Sequence, residues 1–415
     1  MPMAAPEIPS LANEDWIKDV RFKTVMEALR KAGGEALAVG GCVRDALLGQ
    51  AASDIDVATT LTPDAVVKAG TKAGLGVHLT GEEHGTITLV AGPEGERKAF
   101  EVTTLRVDSE TFGRHARVSF TAGWQEDAQR RDFTMNALYC DANGNVHDLV
   151  GGYKDLRART VRFVGTPENR IQEDYLRILR FYRFHARFGE GAPDTAGRAA
   201  CKMARAGLDT LSRERMRQEF FKLLVAPGAV STILLMEEDG VLAHILPGAA
   251  SVSALENLAA LELSQNNVCD PFLRLMALYP NLDAAIARTA LVLTNDEMKR
   301  LKAVASAPPV SPRFRPAELD RLLYWFGNDT IIAALLLAWA GSSDAPDDEA
   351  WRVSLVQAQN WVRPEFPLSG NDLQALGIEE GPELGKQLQA LEDYWVAAEF
   401  VPERDVLLAR LKDKN

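Results

Sequence analysis

Short alternations of apolar and polar residues occupy the first 150 positions, and helical periodicities take over beyond about residue 165. Ala36–Val39 is an apolar run that stops at Gly40-Gly41, and Val43–Gly49 reads as a helix closed by glycine. Ser53–Thr60 alternates polar with β-branched residues, as a strand does. Pro63 opens a short helix, where its missing N–H costs nothing. Gly85–Val90 and Lys98–Leu105 alternate again, and the Gly92–Gly95 turn joins them as a hairpin. Thr134–Tyr139 predicts a fifth strand ahead of an Asn143-Gly144 turn. Pro167–Phe188 predicts one long helix, with Ile171, Tyr175, Ile178, Leu179 and Tyr182 at helical spacing. The remainder reads as helices punctuated by Pro and Gly, with Ser306–Pro316 and Gly341–Asp348 as linkers. The most apolar of them, Ile331–Gly341, falls short of the roughly 18 residues of a membrane span and reads as a core helix. The fold class is therefore α+β: a small head with a mixed five-stranded sheet, followed by a long all-α region.

Charge changes this picture by its placement. The chain carries a net charge of −12, against the strongly basic balance of a general nucleic-acid binder. Residues 1–225 hold 31 basic and 31 acidic residues, so the whole excess lies in 226–415, with 15 and 27. Within the neutral part, residues 157–222 hold 15 basic and 8 acidic residues. Cys42, Cys140, Cys201 and Cys269 are scattered without metal or redox spacing, which fits a reducing compartment. The N-terminal stretch has neither a basic region nor an apolar core of a signal peptide, so a cytoplasmic location is expected.

Candidate chemistry clusters in the head. Gly40 and Gly41 between a strand and a helix let a backbone approach a phosphate, and Arg44 offers a planar fork to phosphate oxygens. Asp54 and Asp56, two apart on the predicted strand, point to one face and suit a hard divalent ion. Glu101, on another strand of the same sheet, supplies the third carboxylate that a two-metal site needs. Asp45 is expected to orient Arg44, and Asn136 to clamp local backbone. On the helix, Glu173 and Arg177 stand four apart and share a face, and Asp174 lies three from Arg177. Cytosine and adenine both present an amine beside an unprotonated ring nitrogen, so one carboxylate and one guanidinium can accept either and reject uracil and guanine. Arg180, Arg183 and Arg187 give the same helix a basic face, suited either to solvent or to RNA and triphosphate.

In order along the chain, GGCVRDALLG, SDIDVATT, FEVTTLR, RRDFTMNA, DLVGGYKD, EDYLRILRFYRF and LSRERMRQEFFKLL resemble the motifs of the class II tRNA nucleotidyltransferase and bacterial poly(A) polymerase family. The resemblance covers about residues 36–224. It implies a polymerase-β-like head at 1–155, a helical neck at 156–225 and an RNA-binding body and tail at 226–415. It assigns metal binding and catalysis to Asp54, Asp56 and Glu101, ribose reading to Asp132 and phosphate contact to Arg131. It makes Asp174 and Arg177 the base readers, with Glu173 orienting the arginine. No residue of the loop at 107–123 is carried over.

The expected activity is template-independent addition of C, C and A to the tRNA 3′ end, from CTP and ATP, with two Mg²⁺ ions and release of pyrophosphate. The acidic tail and the segment His84–Ala91 favour this branch over a poly(A) polymerase or a partial CCA adder. A non-catalytic RNA-binding scaffold has no use for three clustered carboxylates, and a small-molecule nucleotidyltransferase none for the basic stretch and long helical region. No membrane partner is expected.

Overall fold

The computed structural model describes residues 7–52, 54–81, 85–112, 115–121, 123–265 and 269–412. Ser53, His84 and the centre of Phe112–Arg117 therefore lie outside the described residues. The chain divides into two compact units, Met1–Ile245 and Leu246–Asn415.

The first unit is built on a mixed sheet. Its strands are β1 (Ala36–Val39), β2 (Asp56–Thr59), β3 (Gly76–Gly81), β4 (Thr86–Ala91) and β5 (Lys98–Thr104). A separate hairpin pairs β6 (Arg106–Phe112) with β7 (His115–Phe120), and β8 (Leu138–Cys140) and β9 (Val146–Asp148) complete the main sheet. Its order is β3-β4-β5-β2-β1-β8-β9, with β2 and β5 parallel and the other neighbours antiparallel. Seven strands stand where five were expected. The two additions are edge strands: β3 has only the four alternating residues Val77–Thr80 between glycines, and β9 is three residues long. The segment after Leu105, which shows no periodicity, forms the β6–β7 hairpin. Thr134–Asn136 is a 3₁₀ turn, so the strand expected at 134–139 begins only at Leu138.

The long helix expected at 167–188 is broken. One helix runs Pro167–Glu173 and a second Leu176–Phe188. Asp174 between them is extended, with φ −157° and ψ 107°, and its Oδ1 accepts from Leu176 N at 3.1 Å. That carboxylate satisfies an N–H that a continuous helix would have bonded internally. Tyr175 packs against Gly207, where a Cβ would come within 2.1 Å of its ring.

An aromatic cluster ties sheet and helix together. Phe133 lies 5.0 Å from both Phe163 and Phe184, and Phe163 stacks on Phe181 at 5.5 Å. Thr134 N donates to Arg162 O and Val164 N to Asp132 O, pinning residues 132–134 alongside 162–164. Burying three or more phenylalanines here contributes several kcal/mol, at about 1.5–3 kcal/mol per side chain. Asp148 closes the turn into the helix Gly152–Arg157 by accepting from the N–H groups of residues 150–153. Gly151 has φ 82°, and a Cβ on Gly152 would lie 2.1 Å from Thr134 O, so both positions need glycine.

The second unit is helical throughout its described residues. Asn328–Ala340, the expected core helix, buries Ile331, Leu335, Leu336 and Trp339, and Trp339 stacks on Trp351 at 6.0 Å. The expected linkers fall between helices, at 307–315 and 341–348. Among the described residues no helix is long and apolar enough to cross a membrane.

Candidate active site

The sheet brings two of the expected carboxylates together on adjacent central strands. Asp56 opens β2 and pairs in register with Val39 of β1 on one side and Glu101 of β5 on the other. Partners in adjacent strands project to the same face, so Asp56 and Glu101 lie side by side. Asp54 lies two residues before β2 and is exposed, with Ile55 between them buried as an anchor. The parallel pairing of β2 with β5 is what joins residues 45 apart in sequence, a pairing that requires a crossover.

Like charges dominate here. Burial, the Glu101 charge and the Asp54 charge push the Asp56 carboxyl up to about 6, and Arg131 opposes them. Among the described residues no three His, Cys, Asp or Glu side chains are close enough to enclose an ion by themselves. Three hard-oxygen donors, two of them like charges beside Asp56, still suit a divalent cation, which would offset the repulsion that adds to burial in holding Asp56 up. They fit the group expected there.

Gly40 follows β1 directly and has φ 76°. A Cβ on it would lie 3.6 Å from Asn136 O and 3.8 Å from Arg131 Nη1, so this turn faces Arg131. Gly41 opens the helix Gly41–Leu47. Arg131 is held by Asp127, which accepts from Nε at 3.2 Å and from Nη2 at 2.9 Å, and its guanidinium lies over the Tyr139 ring. Its Nη1 is left toward the glycine turn and the carboxylates.

Arg44 is 7% exposed and turned into the fold. It donates from Nε to Asp45 at 2.8 Å and from Nη1 to Asn136 at 2.6 Å, and lies 4.2 Å over the Phe188 ring. Asp45 thus meets Arg44 as expected. With Nη2 also 2.7 Å from Asp45, these contacts leave one Nη1–H and one Nη2–H for a phosphate. Asn136 is no backbone clamp: its side chain bridges Arg44 to Asp132, donating from Nδ2 at 3.1 Å. Asp132 also accepts from Phe133 N at 2.8 Å and from Arg180 Nε at 2.8 Å. Burial pushes this carboxyl up, but the Arg180 guanidinium and the hydrogen bonds outweigh it and hold it below the ordinary range.

On the helix pair, Glu173 and Arg177 form the expected ion pair. Asp174 departs from expectation. Because the helix breaks there, its carboxylate accepts from Arg215 Nη2 at 2.6 Å, on the helix Arg213–Leu224. Arg177 is further held by Arg170 O at 2.8 Å and Arg130 O at 3.3 Å. A cavity of about 300 Å³ opens beside the break, lined by Glu173, Asp174, Tyr175, Ser212 and Arg215 among others. Of the basic face, Arg180 and Arg183 are bound to Glu219, a buried carboxylate, and Arg187 is exposed. Sequence reasoning missed Asp127, Arg170, Arg215 and Glu219. The i,i+4 spacing of Asp127 with Arg131 and the i,i+3 spacing of Arg170 with Glu173 were available signals; Arg215 and Glu219 reach their partners only through the tertiary fold.

Residues 36–162 match the family model of the poly A polymerase head domain, and residues 193–252 the model described as a probable RNA and SrmB-binding site of polymerase A. The chain is 34% identical to the mitochondrial CCA tRNA nucleotidyltransferase 1 of Mus musculus, over 99% of this chain and 93% of that protein. It is 31% identical to the CCA-adding enzyme of Lactococcus lactis, over 95% and 97% of the two chains. Its fold matches the crystal structure of the Bacillus stearothermophilus CCA-adding enzyme in complex with CTP, with TM-score 0.75 and 27% identity, over 95% of this chain and 99% of that one.

Proposed function

This chain belongs to the tRNA nucleotidyltransferase family of CCA-adding enzymes, and we propose that it adds C, C and A in turn to the 3′ end of tRNA from CTP and ATP, releasing pyrophosphate. The observation that carries the reading is the juxtaposition of Asp56 and Glu101 on paired strands, in a chain similar along nearly its whole length to CCA-adding relatives.

The family is one of generally divalent-metal-dependent nucleotidyltransferases. We take the ions to be two Mg²⁺, held by Asp54, Asp56 and Glu101. Bound there, they supply activation of the attacking 3′-hydroxyl and charge neutralisation on the leaving pyrophosphate. The chain's own residues do the rest. The Gly40-Gly41 backbone and Arg131 receive the triphosphate, with the guanidiniums of Arg44 and Arg180 adding positive charge beside it. Asp132 accepts from the ribose 2′-hydroxyl, the group that separates a ribonucleotide from a deoxyribonucleotide. Asn136 and Arg180 aim it.

Base choice rests on Asp174 and Arg177. Each oxygen of Asp174 keeps a lone pair beyond the bonds to Leu176 N and Arg215, so the carboxylate can accept from the amine of cytosine or adenine. Arg177 has both Nη1 donors and one Nη2 donor engaged, which leaves Nε–H and one Nη2–H for the ring nitrogen beside that amine. Uracil and guanine would meet the wrong partners, at about 1–3 kcal/mol per buried group left unpaired. Residues 1–155 act as the head, 156–225 as the neck that carries this reader, and 226–415 as the body and tail that hold the tRNA. The free, scattered cysteines agree with a reducing, cytoplasmic location.

The test is product length on a tRNA lacking its CCA end. CTP alone is expected to add two residues, and CTP with ATP three. A long A tail, or addition of A without prior C, would overturn the reading.

A further inference from the structure

Arg170 lies one helical turn before Glu173, outside the residues assigned to the nucleotide, and it contacts both Glu173 and Arg177. Its Nη2 pairs with Glu173 Oε1, while Glu173 Oε2 takes Nη1 of Arg177. Its own carbonyl accepts from that same Nη1 at 2.8 Å. Its Nη1 donates to Gln129 O at 3.0 Å, one residue before Arg130, whose carbonyl accepts from Arg177 Nη2 at 3.3 Å. Glu173 is thus shared between two arginines, and both arginines are docked on consecutive carbonyls ahead of Asp132.

This sharing has a chemical consequence. A carboxylate left alone with a guanidinium prefers a two-point fork. A fork between Glu173 and Arg177 would turn the guanidinium and engage donors that the base must find free. With one oxygen committed to Arg170, Glu173 reaches Arg177 through Nη1 only. We propose that Arg170 is a positioning residue for base selection: by occupying half of Glu173, it keeps the Arg177 edge open and aimed at the incoming base. The proposal rests on the reading of Arg177 as the base reader.

The test compares kcat/KM for CTP with that for UTP in the first addition to a tRNA lacking its CCA end, in the full-length enzyme. Arg170→Ala is expected to lower the CTP:UTP ratio at least tenfold, chiefly through a higher KM for CTP. Arg170→Gln, which keeps much of the aliphatic stem and one donor, guards against a folding defect and is expected to lie between wild type and Ala. The double variant Arg170→Ala/Glu173→Gln is expected to be no less selective than Glu173→Gln alone, because Arg170 acts through Glu173. Losses that multiply in the double variant would overturn the proposal, as would an unchanged ratio in Arg170→Ala while Arg177→Ala loses selection. If Arg177→Ala itself keeps wild-type selection, the underlying base-reading assignment fails instead, and the two failures are distinguishable.

Discussion

Asp174 accepts from Arg215 across 41 residues of sequence, at 2.6 Å, rather than from Arg177 on the adjoining helix. The broken helix makes this possible, since an extended residue at 174 turns its carboxylate out of the helical register. The proposed base reader therefore draws on two elements: a guanidinium held by Glu173 and a carboxylate held by Arg215.

The two halves are expected to fail differently. Arg177→Ala removes the proposed donor to the ring nitrogen and should cut discrimination against UTP and GTP by about tenfold or more, as when a built hydrogen-bonding site loses its partner. Arg215→Ala leaves Asp174 in place but unaimed, and should raise KM for both CTP and ATP while weakening discrimination less. Steady-state incorporation of all four nucleotides checks this; equal loss in the two variants would contradict the division of roles.

Asp54→Ala is expected to lower nucleotide addition by on the order of 10³-fold, the scale of removing a main electrostatic stabiliser, while tRNA affinity stays within about twofold. Gel-shift binding and single-turnover addition on one preparation separate the two effects.

Asp56 supplies the pH prediction. Burial and the Glu101 and Asp54 charges raise its folded value to about 6 against an ordinary 3.8. The folded state therefore binds more protons than the unfolded state between these values, and stability falls as pH rises through that window. Asp56→Asn should then stabilise the metal-free protein at pH 8 by on the order of 1–2 kcal/mol, after discounting for solvent screening. The gain should vanish by about pH 4, and activity should be lost at every pH. Chemical denaturation in a chelating buffer reads the first two, and a variant less stable than wild type at pH 8 would contradict the repulsion.

Asp127 has the opposite sign. Burial raises its carboxyl, but Arg131, Arg130 and the Tyr139 hydroxyl together hold it below 3.8. Its contribution is present above the unfolded value and is lost as pH falls through the lower folded value. Asp127→Asn is expected to cost about 3 kcal/mol at pH 7, the scale for breaking a buried ion pair, with the difference from wild type narrowing below pH 4. Because Asp127 also holds Arg131, KM for the triphosphates should rise in the variant.

The apolar runs and glycine punctuation of residues 36–104 determined β1, β2, β4 and β5 and the hairpin between the last two, because each of these reads from neighbours within a few positions. The i,i+4 spacing of Glu173 and Arg177 determined their ion pair in the same way. What lay beyond that reach was decided by the tertiary structure. The edge strands β3 and β9 are too short for their pattern to stand out, β3 having four alternating residues between glycines, and form because β4 and β8 offer them an unpaired edge. The register that sets Asp56 beside Glu101 comes from a parallel pairing that no local period records. Arg44 finds Asn136 over 92 residues and Arg180 finds Asp132 over 48. In each case a charge buried by the packing of helix on sheet required a partner, and only the folded chain determined which residue was near enough to be one.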